Sequence, residues 1–212
     1  LNHRALVWNT FPTSIGEPAT SVLGQASFET NAIGQFYQAW DAKLDGAGAL
    51  VASYYTGGYH FPDLEMYRQP DFTPLRVDGA ARIRPDAVPL PSSITRTGDG
   101  GLATFDTSGR IAMHRVAPTA TTAMDFSLGQ PDLTRVMDGP VSASSISSNG
   151  RVNASNGLLL VPDVSRVLVY EQPPTYNFEP AQRVLGQAGF TTNDRGVDYR
   201  RISNRTLAYP SD

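Results

Sequence analysis

The chain has 212 residues and a mass of 22.9 kDa, and with 40% apolar residues it can bury a core in one or two domains. Its 17 basic and 20 acidic residues leave a net charge of −3 and a pI near 5.6; they are interspersed, whereas phosphate binding needs clustered Lys and Arg, so nucleic acid is excluded as a natural partner. Zero cysteines exclude disulfides, thiolate nucleophiles and Cys-ligated zinc, and no run of about eighteen apolar residues is present to cross a membrane as a helix.

In chain order, "RALVWNTFPT" (4–13) opens as a strand-type stretch running into Pro-Thr, and "VLGQASFETN" (22–31) follows it. In "IGQFYQAWDAKL" (33–44), Phe36, Trp40 and Leu44 recur every four residues, and this spacing predicts the one short helix of the chain. "DGAGAL" (45–50) lacks the ladder of aspartates that a calcium loop needs. Residues 54–72 then break the pattern with a concentration of aromatics. Tyr and Arg are enriched where surfaces bind partners, so Tyr54, Tyr55, Tyr59, His60, Tyr67 and Arg68 form the candidate partner surface. The competing reading is bulky filler in a degraded repeat. His60 has Asp63 and Glu65 nearby, but the HExxH spacing is missing and strand neighbours point to opposite faces, so no metal site is expected. His3 and His114 fall in or beside strand-type stretches and read as surface or packing residues.

Residues 74–98 fit no pattern, and "RTGDGG" (96–101) reads as a hairpin turn built on Asp-Gly. "GLATFDTSGRIAMHR" (101–115) and "GLLLVPDVSRVLVYE" (157–171) share one plan: an apolar run, an Asp, a polar turn, an Arg and a second apolar run. Each predicts an antiparallel hairpin.

The marks repeat. "VLGQAGFTTN" (184–193) restates 22–31, and Arg4 and Arg166 each stand eight residues before a Pro and nineteen before the Leu of LGQ. A third copy runs from Arg110 to "SLGQPDLTR" (127–135), and a degraded fourth carries "QPDFT" near 66–73, with Leu50 as far before Tyr67 as Leu6 is before Leu23. The repeated Gln falls at Gln25, Gln69, Gln130 and Gln187, at intervals of 44, 61 and 57. Units of this length with three or four strands each predict a β-propeller of about four to five irregular blades within one all-β domain over 1–212. Residues that recur in every unit serve what every unit needs. Arg4, Gly24, Gln25, Arg110, Gly129, Gln130, Arg166, Gly186 and Gln187 are therefore structural joints, with Phe28 and Phe190 as anchors beside them.

The string of apolar strand, Asp, polar turn, "RVLVY", Pro-rich connection, "VLGQ" and "FTTN" resembles the NHL-repeat β-propellers of large bacterial surface and secreted proteins, over Asn2 to about Asn193. The family's Asp-x-x-Asn-x-Arg loses its Asn at Asp163-Val164-Ser165-Arg166 and at Asp106–Arg110, which makes the blades irregular. The resemblance implies a non-catalytic binding or scaffolding module in an extracytoplasmic assembly, without a cofactor, whose partner is a protein or a further stretch of the same polypeptide. A different class stays open beside it, a propeller hydrolase or lyase with a metal in its central channel. No GxSxG, Walker loop or GxGxxG occurs. The first strand-type stretch begins at the Arg position, in the middle of a unit, and "SNRTLAYP" (203–210) starts another. The expectation is a segment of a larger ring whose edges are covered by more of the same chain or by a partner.

Overall fold

The structure, a computed structural model, describes residues 4–23, 25–30, 38–45, 48–56, 60–68, 73–75, 91–106, 109–116, 124–132, 139–147 and 151–193; over these the chain is all-β with no helix. The first sheet holds β1 (Ala5–Val7) and β2 (Ser21–Leu23). The second holds β3 (Gln38–Asp45), β4 (Gly48–Thr56), β5 (His60–Arg68) and β6 (Thr73–Leu75). The third holds β7 (Pro91–Arg96), β8 (Leu102–Asp106), β9 (Arg110–His114) and β10 (Phe126–Leu128), and the fourth β11 (Asn153–Ser155), β12 (Leu158–Asp163), β13 (Arg166–Tyr170) and β14 (Arg183–Leu185). All pairings between these strands are antiparallel, and the three larger sheets are meanders in chain order.

The helix expected over 33–44 is corrected. Its second half is β3, paired with β4 from Gln38↔Tyr54 to Asp45↔Gly48 across a register shift between Ala39 and Asp41. A four-residue aromatic spacing is a weak local preference, and the ladder formed with β4 outweighs it. Residues 33–37 lie outside the described residues. The hairpins form as read: Asp106 pairs with Arg110 and Asp163 with Arg166. The Asp-Gly turn closes through Gly100 N–H to Thr97 O at 3.0 Å, with Asp99 Oδ1 accepting from Thr97 Oγ1 at 2.5 Å.

The repeat is geometric as well as textual. β1 pairs with β2 as Ala5↔Leu23, Leu6↔Val22 and Val7↔Ser21; β13 pairs with β14 as Val167↔Leu185, Leu168↔Val184 and Val169↔Arg183, the same register 162 positions on. The intervening loops match too. Glu17 Oε2 accepts from Thr13 N–H at 2.8 Å, and Glu179 Oε2 from Thr175 N–H at 2.7 Å. In the degraded copy Ala49 pairs with Tyr67, as Ala5 does with Leu23, but these residues sit on the second and third strands of their sheet.

The third and fourth sheets share one apolar core. Phe105, Ile111, Phe126 and Leu128 meet Leu159, Val161, Leu168 and Tyr170, with Ile146 and Val152 of the connection between them. Gly129 has φ +82°, and a Cβ there would stand 2.5 Å from Gly109 O, so only glycine fits this joint. Within the same core lies a charge. Arg166 and Asp163 are fully buried, with Nη2 2.7 Å from Oδ2. Arg166 Nε donates to Asp163 Oδ2 at 2.8 Å, Nη1 to the Ser142 and Phe190 carbonyls at 3.0 and 2.7 Å, and Nη2 to Ser145 O at 2.8 Å. Asp163 Oδ1 accepts from Ser147 N–H and Oγ at 2.9 and 3.0 Å.

Removing one member of such a pair leaves the other buried and unpaired. Arg166→Ala is expected to cost about 3–5 kcal/mol in denaturant unfolding, with no rescue by Arg166→Lys, because an ammonium cannot serve both the carboxylate and three carbonyls. A loss below about 1 kcal/mol would contradict this. A second expectation concerns His114, which is buried on β9 and whose pKa is held below the usual imidazole value by that burial, against a smaller opposing pull from Asp125. The unfolded chain then binds the proton more readily, so stability present above about pH 6.5 is lost as pH falls toward the folded value. His114→Tyr, which copies Tyr170 of the fourth sheet, should flatten the fall in melting temperature between pH 7.5 and 5.5; an unchanged slope would assign that fall to other groups.

Candidate functional site

The sites expected from the sequence are placed as follows. Tyr54 and Tyr55 lie on β4, and His60, Tyr67 and Arg68 on β5; Tyr59 lies outside the described residues. Tyr54 and Tyr55 pair with Pro62 and Phe61 near the β4–β5 turn, next to His60. Tyr67 and Arg68 pair with Ala49 and Gly48, about 23 Å along the strand from His60 at ~3.3 Å per residue. The backbone therefore places these residues at two ends of one hairpin.

Among the joints, Gly24 lies outside the described residues, while Gly129 and Gly186 share positive φ at +82° and +83°. Gln187 Nε2 donates to Ser165 O at 2.9 Å, and Ser165 N–H donates to Asn193 Oδ1 at 3.3 Å, so the mark "VLGQAGFTTN" folds back over the turn that precedes its own sheet's third strand. Arg4 Nη1 donates to Phe28 O as Arg166 Nη1 does to Phe190 O. Phe190 packs against the core, whereas Phe28 is exposed. Arg110 and Gln130 are buried, and Gln25 and Asp132 are likewise engaged in interactions.

Two features were not foreseen. The first is a polar seam where the opening strands of three sheets converge. Buried Asp41 on β3 accepts from Ser93 Oγ at 2.7 Å and from Ile94 N–H at 3.2 Å, both on β7. Ser93 Oγ in turn accepts from Val152 N–H at 3.0 Å, and Thr95 Oγ1 from Ala154 N–H at 3.2 Å, which brings in β11. Lys43 Nζ stands 3.6 Å from Asp41 Oδ2 and donates to Asn153 Oδ1. Carboxylate, hydroxyl and amine lie together here, yet Ser93 is fully buried and its oxygen already serves two neighbours. The seam ties strands together. Among the described residues no group of three or more His, Cys, Asp or Glu is placed to hold a metal ion.

The second feature is a cavity of about 410 Å³ running along β1, lined by Ala5–Pro12 and Leu23 on one side and by Ala42, Lys43 and Leu44 of β3 on the other. Its volume is in the range of ligand sites. Leu6, Trp8, Phe11 and Leu44 line it and are 40, 36, 92 and 62% exposed. The equivalents of Leu6 and Trp8 in the fourth sheet, Leu168 and Tyr170, are 0% exposed, packed in the core shared with the third sheet. Among the described residues β1 pairs with β2 alone.

A scan of protein-family models, a search of curated proteins and a search of solved structures each return no match to this chain.

Asp41→Ala should cost about 1–3 kcal/mol, since it leaves the buried Ile94 amide without its acceptor and the buried Ser93 hydroxyl with only Val152 O, at 3.4 Å. Thermal unfolding of the variant measures this, and an unchanged midpoint would show the seam to be idle.

Proposed function

We propose that this chain is a non-catalytic binding and scaffolding module of the NHL-repeat-like propeller type, whose partner is a protein held in the groove along β1. One observation carries the reading. The residues that a complete sheet buries, Leu168 and Tyr170, have exposed counterparts, Leu6 and Trp8, facing an open cavity beside Leu44. Contiguous exposed apolar side chains at a sheet edge mark places where another chain adds a strand. Each fully buried leucine-sized side chain stabilises such a contact by about 1.5–3 kcal/mol.

The propeller assignment is supported by three consecutive four-stranded meanders of similar length and by the repeated register. Placement in an extracytoplasmic bacterial assembly rests on the sequence resemblance and on the near absence of Lys, with Lys43 the single one.

A library of random extended peptides displayed and selected on the folded chain tests the binding role. The expected outcome is enrichment of apolar sequences whose retention is lost in the Leu6→Asp, Leu44→Asp double variant while its melting temperature is kept. Peptides retained equally by the double variant would place binding elsewhere.

A further inference from the structure

Of the 17 Lys and Arg residues only Lys43 is a lysine, so the chain holds a single side-chain amine among guanidinium groups that stay protonated and are no nucleophiles. That amine stands at the polar seam. Its side chain, on β3, is 20% exposed, and its Nζ donates to Asn153 Oδ1 on β11, 110 positions further on. With a C=O bond of ~1.2 Å, a donor to Oδ1 is already within about 4 Å of Cγ, close to the ~3–3.5 Å from which bonds form. A carboxylate completes the group. Oδ2 of Asp41, a side chain only 5% exposed, lies 3.6 Å from the same Nζ and is fixed by hydrogen bonds from Ser93 Oγ and Ile94 N–H.

We propose that Lys43 and Asn153 are joined by an intramolecular isopeptide bond that the chain makes on itself, with Asp41 as the proton carrier. Nζ passes its ammonium proton to Asp41 Oδ2 and adds, as a free amine, to Asn153 Cγ. The tetrahedral centre then expels Nδ2, which takes a second proton from Nζ and leaves as ammonia, while Asp41 returns its proton to solvent. One C–N bond forms and one breaks, and nothing is oxidised or reduced. Nucleophile, electrophile and proton carrier are all side chains of this chain, held by strands and largely shielded from competing water. The bond ties the opening strand of the second sheet to that of the fourth, and β7 of the third sheet is already held to both through Ser93 and Thr95. A covalent brace across 110 positions removes much of the freedom of the unfolded chain, in a protein that has no cysteine with which to form a disulfide. The inference is independent of what the groove along β1 binds.

Intact-mass spectrometry of the folded full chain is the test. The mass should fall below that of the sequence by one ammonia, about 17 Da. Trypsin should release segment 152–166 joined to segment 5–68, because a bonded Lys43 is no longer a cleavage site. Lys43→Arg and Asn153→Ala should each keep the full sequence mass and give no joined segments. Asp41→Asn should form the bond at least about a hundredfold more slowly, seen as two masses whose proportions change with time after purification. Should these variants fail to fold, the mass and the joined segments of the unaltered chain decide the matter alone. The full sequence mass in the folded, unaltered chain after prolonged incubation would overturn the proposal, since an ordinary ion pair and hydrogen bond lose nothing. Loss of ammonia that persists in Lys43→Arg would place the change at another asparagine and overturn it as well, and loss of water without joined segments would make Asp41 the acceptor in place of Asn153. Bond formation at an unaltered rate in Asp41→Asn would overturn the role of Asp41.

Discussion

A guanidinium carries five N–H donors in a rigid plane, and burying one costs several kcal/mol unless all are met. At Arg166 they are met by Asp163 twice and by the carbonyls of Ser142, Ser145 and Phe190. These partners come from the strand before, from the connection between the third and fourth sheets, and from the mark that begins in β14. The ion pair is therefore less a source of net stability than a condition of position, because none of the three segments can shift without stranding a charge in the core. Lys offers no planar fork with which to do this, in keeping with a chain whose cations are almost all Arg.

The rest of the fourth sheet is arranged around that group. Gly186 turns the chain at positive φ, Gln187 and Asn193 hold the two backbone groups of Ser165, and Val164 is kept at φ 54°, a conformation costly for a β-branched residue. The same plan, in the same register, governs β1 and β2, where Arg4 donates to the Phe28 carbonyl. Leu168 is buried in the core shared with the third sheet, whereas its counterpart Leu6 lies on the wall of the groove.

Much of this was legible in the sequence. The Arg-to-Leu spacings locate β1, β9 and β13 and their partner strands, and the Asp-turn-Arg pattern locates the hairpins, because a repeat reports the same geometry several times over. Single occurrences were harder. The spacing of Phe36, Trp40 and Leu44 suggested a helix where pairing with β4 makes β3, since three residues carry less weight than a ladder of backbone hydrogen bonds. Asp41, Ser93 and Asn153 gave no local signal, being isolated polar residues that meet only after three distant strands converge. The groove gave no local signal, because its lining comes from β1 and β3, which are apart in sequence, and the backbone spreads the aromatic cluster at 54–68 along a hairpin.

The central claim is that the buried, fully satisfied Arg166 locks the mark of the fourth sheet onto its own hairpin. Side-chain nitrogen NMR of the folded chain addresses it directly. The Nε–H of Arg166 should give a resolved signal, displaced from the free-arginine position and persisting for hours in deuterated water, while the Nε–H of Arg4 exchanges at once. Exchange of the Arg166 proton as fast as that of free arginine would mean that the guanidinium is not held by Asp163, and the account of the joints would fail with it.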